Sequence, residues 1–347
     1  LIIFSSLNKE YIGTRPRLET AHCDCSLITS SCLHFLKFLS TFNPDKPKQK
    51  SNQIFVYFYT KKYIKMTYST DQLRDFSSLF SRSEVNRWFE GDFESIDLKL
   101  RRYRLIEKNQ GNSYLNILRQ AYKILEEHYP NEYVLKNEFL NQWLKQKLGN
   151  NNSIIFNELR LGKAIADLVM FNGKSQAFEI KTILDKEYRL TNQIQEYKKL
   201  FNEVYLIVPD ELLSKYIEFD KHIGIITYDS YSKNFALVRK SIFNSNIDLN
   251  VLMEVLHTKE YLDIVRKYYV DCPKMNSFNQ FNICKDLISK IPNNELNELF
   301  INAMKERKIN NLFFNKINRE FNQICLSLNL EKSERDRLIM KLQTNKV

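Results

Sequence analysis

The run Glu203-Val-Tyr-Leu-Ile-Val208 is apolar almost throughout. A strand of that kind has to be covered on both faces, so the chain must place a layer above it and a layer below it. Helical periodicity over residues 185–200 leads into the run, with Asp185 placed as an N-cap. Upstream, residues 164–171 and 176–182 read as two strands joined at Asn172-Gly173, a strong turn signal, and residues 153–158 read as a third. Residues 223–228 and 235–238 add edge strands. Helical patterns fill residues 71–108, 112–128 and 132–148, and continue from 247 to the end with breaks near Pro273 and Pro292. A meander that passes through a helix to a returning strand gives an α/β fold, a mixed sheet flanked by helices.

The expected organisation is a helical N-terminal segment over 66–131, a sheet-bearing core over 132–240 and an all-helical C-terminal region over 241–347. Residues 1–65 differ from the rest. They lack a sustained helix or strand period, and the first methionine is Met66. Met66 reads as the natural start, and 1–65 as translated upstream sequence or a poorly ordered extension. His22, Cys23, Cys25, Cys32 and His34 lie there without the pair spacing of zinc ligands. Cys272, Cys284 and Cys325 read as reduced thiols of a cytoplasmic protein. No apolar run reaches the ~20 residues of a membrane-spanning helix.

The formal net charge is +11, but residues 1–65 carry +6 of it, with ten Lys and Arg against four Asp and Glu. The remaining +5 permits nucleic-acid binding without demanding it. In the tail, Leu249, Leu252, Val255, Leu256, Leu262 and Val265 make apolar helix faces. They read first as core, with a dimerising or partner-binding element as the alternative.

Ala166 to Thr182 places charges in otherwise apolar strands, where they need partners or a metal. Glu179 and Lys181 share one strand face, while Phe178 and Ile180 share the other. Asp167 lies across the hairpin. Opposite Glu179, it would sit about 5 Å away, and two carboxylates at that distance repel by roughly 3 kcal/mol at an effective dielectric near 20. A divalent cation such as Mg²⁺ removes that repulsion, and Lys181 can orient a water beside it, a combination suited to phosphodiester hydrolysis. A two-residue Asn172-Gly173 turn would instead pair Asp167 with Phe178. The metal reading therefore requires a three-residue loop, another odd shift or a bulge near Asp167. A lone E-x-K is otherwise a common solvated pair.

Asp167 followed by Glu179-Ile180-Lys181 resembles the PD-(D/E)XK nuclease superfamily. Residues 133–209 are similar to an uncharacterised bacterial branch of it, through Tyr133-Val-Leu-Lys136-Asn137, Glu158-x-x-x-Gly162-x-x-x-Ala166-Asp167, Glu179-Ile-Lys-Thr-x-x-Asp185 and Arg189-Leu-x-x-Gln193-x-x-x-Tyr197. Ala166 stands where the family name has proline. The resemblance implies a restriction-endonuclease-like core and a DNA substrate ahead of RNA. It implies Mg²⁺ or Mn²⁺ held by Asp167, Glu179 and the Ile180 carbonyl, with Lys181 at the water and Glu158 as a further acid. Arg189, Gln193 and Tyr197 share one helix face that can border the site, and Lys136 and Asn137 offer a phosphate contact or a solvated face. A catalytically silent nucleic-acid-binding module is the reading from another class. An RNase or toxin-like defence effector would keep the chemistry and change the substrate.

Overall fold

The computed structural model describes residues 68–147, 153–185, 188–310 and 317–347. The expectations for residues 1–65, including the zinc-like cluster and the Met66 start, lie outside the described residues. Residues 66–347 form one compact unit.

Six strands lie side by side in chain order: β1 (Ile154–Leu161), β2 (Ala164–Phe171), β3 (Ser175–Ile180), β4 (Glu203–Pro209), β5 (Gly224–Asp229) and β6 (Asn234–Arg239). The β3–β4 and β4–β5 pairings are parallel and the other three antiparallel. The sheet is thus mixed, as the hairpin followed by a crossover helix requires. Of the two strands expected as edges, only β6 is one; β5 is an inner strand, and its Ile225, Ile226 and Tyr228 are fully buried.

One face of the sheet is covered by α1 (Thr70–Ser78), α2 (Arg82–Glu90), α3 (Glu94–Arg102), α4 (Tyr114–His128) and α5 (Glu132–Glu138). Ser69, Ser81, Ser113 and Asn131 cap α1, α2, α4 and α5 with side-chain oxygens, the usual N-terminal device. Helix α5 runs on as a π-helical stretch over Phe139–Leu144. The other face is covered by the crossover helix α6 (Leu190–Lys198) together with α7 (Leu249–Val255), α8 (Thr258–Tyr268), α9 (Gln280–Ile288) and α10 (Asn293–Lys305).

The C-terminal region is therefore shared between the layers. Leu252, Val255, Leu256 and Val265 are buried beneath the second face, with Leu249 and Leu262 packed against them. The chain then crosses over, and α11 (Asn322–Ser327) and α12 (Lys332–Thr344) join the first layer through Phe321, Ile324, Leu338 and Leu342. Among the described residues, Cys272, Cys284 and Cys325 are free thiols. No helix of the described residues is long and apolar enough to cross a membrane.

Candidate functional site

The β2–β3 turn has three residues, Asn172 to Lys174. Phe171 pairs with Ser175 and Leu168 with Phe178, and Gly173 takes a φ of 93° that favours glycine. One step further along this register Asp167 faces Glu179. The odd loop that the metal reading required is present.

A second irregularity lies at the same level. In β1, Ile154 and Phe156 share a core with Leu159 and Leu161; in β2, Ala164 and Ala166 share that core with Val169 and Phe171. Strict alternation would put each second pair on the opposite face. Both strands therefore slip by one, at Glu158 and at Asp167. The register on either side is unchanged, with Asn157 opposite Leu168 and Leu159 opposite Ala166, and Glu158 adopts a φ of 56°. A left-handed glutamate inside a strand is strained. Three acids, Glu158, Asp167 and Glu179, thus stand at one level on three adjacent strands.

The distortion re-aims the side chains. Asp167 Oδ2 accepts the Ile180 N–H at 2.8 Å, and its Oδ1 lies 2.8 Å from the Lys136 ammonium. Glu158 turns towards α2, where Arg82 donates to its Oε2 at 2.7 Å. Glu179, 1% exposed, accepts from Lys181 at 2.7 Å through Oε1, and its Oε2 lies 2.7 Å from the Tyr197 hydroxyl. That hydroxyl also lies 2.6 Å from the Ile165 carbonyl. The Tyr197 hydroxyl thus has two acceptors within reach, Glu179 Oε2 and the Ile165 carbonyl, for its single proton. Burial, and then the charge of Asp167, push Glu179 up to about 7, against the pull of Lys181 and of the Tyr197 hydrogen bond. Burial likewise raises Asp167, against the pull of Lys136. Burial works against the charge on Lys181, but Glu179 outweighs it and the ammonium is held.

Gln193 bridges the two halves loosely, 3.5 Å from Lys181 and 3.4 Å from Tyr197. Arg189 is exposed and lies over the Tyr188 ring, with its Cζ 5.0 Å from the centroid. Three expectations need correction. Asn137 is fully buried and offers no phosphate contact. Its amide joins Tyr122, the Arg319 carbonyl and the Gln323 amide, tying α4 and α5 to the segment around α11. Lys136 is 3% exposed, so it is neither solvated nor open to a phosphate; it faces carboxylates. Asp185 does not cap α6, whose N-cap is Arg189. It accepts from the Thr182 amide and hydroxyl and holds the turn that follows Lys181.

Glu132 and Arg82 belong to the site without having been singled out. Glu132 pairs with Lys136 at 2.6 Å across one turn of α5, an i,i+4 signal legible in the sequence. Arg82 comes from a helix far upstream and carries no such signal. Beside Lys136 and Glu158 opens a cleft of about 590 Å³, lined also by Ser81, Arg82 and Ser83.

Among the described residues, no three His, Cys, Asp or Glu side chains are already gathered around a metal position. The residues nonetheless fit a divalent ion in chemistry and charge. Asp167 and Glu179 offer hard oxygen donors. With Glu179 ionised, as a metal ligand is, the five acids Glu132, Glu158, Asp167, Glu179 and Asp185 exceed the three cations Lys136, Lys181 and Arg82 by two negative charges, the charge of one such ion. Asp167 and Glu179 would hold it.

A family model described as Bacteriophage P4 protein cII matches residues 126–328. Protein cII of Enterobacteria phage P4 is 26% identical over 213 residues, which cover 58% of this chain and 79% of that protein. A solved structure of a protein of unknown function from Silicibacter pomeroyi is 15% identical, with a TM-score of 0.25, over 35% of this chain and 84% of that one. The family match takes in Lys136, Glu158, Asp167, Glu179, Lys181, Gln193 and Tyr197, and leaves out Arg82.

Proposed function

The chain belongs to the Bacteriophage P4 protein cII family, and from its carboxylate–lysine site we propose that it is a Mg²⁺- or Mn²⁺-dependent nuclease of the PD-(D/E)XK type, acting on DNA ahead of RNA, in the cytoplasm. The observation that carries the reading is the alignment of Glu158, Asp167 and Glu179 across β1, β2 and β3, produced by a paired distortion of two strands at some cost in backbone strain. Strain kept at one level of a sheet, beside a polar cleft, is a mark of function.

When bound, the divalent ion supplies Lewis-acid polarisation of a phosphoryl oxygen and lowers the pKa of a water. The chain's own residues do the rest. Asp167 is fixed in orientation by the Ile180 amide and Lys136. Lys181, held between Glu179 and Gln193, orients a water and opposes the negative charge that gathers on the phosphorus oxygens in the transition state. Tyr197 keeps Glu179 in place by donating to its Oε2. The apolar layers beneath Phe178 and Ile180 exclude bulk water from the inner side of the site.

One observation favours the silent binding module: both oxygens of Asp167 and of Glu179 already have protein partners. A cleavage panel separates the readings. The full chain is incubated with linear and circular duplex DNA, single-stranded DNA and RNA, in EDTA, Mg²⁺ or Mn²⁺. Metal-dependent strand cleavage of DNA is expected. Binding of nucleic acid without cleavage in any metal would support the silent module instead.

A further inference from the structure

Three carboxylates from three elements surround the Lys136 ammonium. Glu132 on α5 lies at 2.6 Å, Asp167 on β2 at 2.8 Å and Glu158 on β1 at 3.9 Å. The side chain is almost wholly buried. Burial works against its charge, but the acids overcome that and raise its pKa. The three carboxylates hold the ammonium, and the helix that carries it is held in turn by Asn137, which ties α5 to α4 and to the chain around α11. A lysine so placed is a compact, fixed point charge.

It stands at one oxygen of Asp167, while the other oxygen accepts the Ile180 amide at the end of β3, where Glu179 and Lys181 gather. Sites that use two metal ions place them about 3.5–4 Å apart on either side of a bridging carboxylate. Here one of those two sides is taken by a lysine. The net charge of the cluster also calls for one divalent ion and not two.

Building on the metal-dependent reading above, we propose that Lys136 is a built-in cation standing in for a second metal ion. The chain then holds one divalent ion, through Asp167 and Glu179, and Lys136 is a positioning residue that acts through Asp167. Replacing Lys136 frees the oxygens of Asp167, Glu158 and Glu132 for a second ion.

The test is calorimetric titration of the full chain with Mn²⁺, without nucleic acid, for wild type, Lys136→Met and Glu132→Gln, with circular dichroism to confirm folding. Wild type is expected to bind one ion per chain. Lys136→Met is expected to bind two, the first about tenfold or more tighter because the competing ammonium is gone. Glu132→Gln leaves the ammonium wholly to Asp167 and removes a negative charge, so its single ion should bind several-fold more weakly. A lysine that served only to hold α5 would weaken binding when lost. Two ions in wild type would overturn the proposal, as would one ion at unchanged or lower affinity in folded Lys136→Met. If that variant does not fold, Glu132→Gln decides, and unchanged affinity there overturns it. Wild type that binds no Mn²⁺ removes the metal-dependent reading as well; wild type that binds one ion insensitive to both substitutions removes only the role of Lys136.

Discussion

The Asp167 carboxylate accepts the Ile180 amide hydrogen at 2.8 Å, just beyond the last β2–β3 pair. A side chain thereby takes over a hydrogen bond that a sheet ladder would normally make, and it does so with an oxygen whose neighbour holds Lys136. Asp167→Ala should leave the Ile180 amide unmet and weaken the pairing of a buried ammonium, lowering stability by about 3 kcal/mol. Asp167→Asn keeps an acceptor for the amide and should cost about 1 kcal/mol less. Urea unfolding of the two variants beside wild type checks the order.

Glu179 gives the fold a pH dependence. Its folded pKa, about 7, lies above its ordinary value because burial and Asp167 disfavour the charge. Between pH 4.5 and 7 the folded state therefore binds more protons than the unfolded one, and stability falls as pH rises through that window. Below the window the contribution is fully present; above it, the contribution is lost. The stability of wild type relative to Glu179→Gln should drop by on the order of 3 kcal/mol from pH 4.5 to pH 8. Denaturant midpoints at both pH values for both proteins measure it.

Glu158 holds a left-handed backbone inside β1. Glycine tolerates that conformation and alanine does not, so Glu158→Gly should be more stable than Glu158→Ala by about 1 kcal/mol. Loss of the Arg82 pair adds little to either variant, because both partners are partly exposed. Thermal melts of the two variants give the difference directly.

Asn137 and Arg189 were grouped by sequence as substrate contacts, and their surroundings separate them. Asn137→Ala removes a fully buried amide with three partners and should destabilise by about 3 kcal/mol. Arg189→Ala should change stability by no more than about 0.5 kcal/mol, since the side chain is exposed. Urea midpoints for both variants test the contrast.

Much of the fold was legible because it follows from period and punctuation. The two-residue repeat, the Asn172-Gly173 turn and the apolar β4 run fix a hairpin, a crossover helix and a sheet covered on both faces. The pairing of Asp167 with Glu179 was legible as a condition, since only an odd loop puts the two acids face to face, and the three-residue turn meets it. The partition of the C-terminal helices was not legible. An amphipathic stripe on α8 or on α12 states that a face is buried without saying which side of the sheet buries it. Lys136 and Asn137 misled because charged and amide side chains next to each other on a helix usually face solvent, whereas here α5 sits between the sheet and α11. The kink at Glu158 had no local signature, because nothing in the residues around it demands a positive φ.

The central claim is that the Asp167, Glu179 and Lys181 constellation hydrolyses phosphodiester bonds. The most direct measurement is Mg²⁺-dependent cleavage of end-labelled linear DNA by the full chain, with wild type compared with Lys181→Ala at equal Mg²⁺ occupancy. The account predicts cleavage by wild type, none in EDTA, and a loss of about a hundredfold or more in Lys181→Ala, as expected when a group that stabilises transition-state charge is removed. Equal cleavage by the two proteins, or cleavage that persists in EDTA, would contradict it.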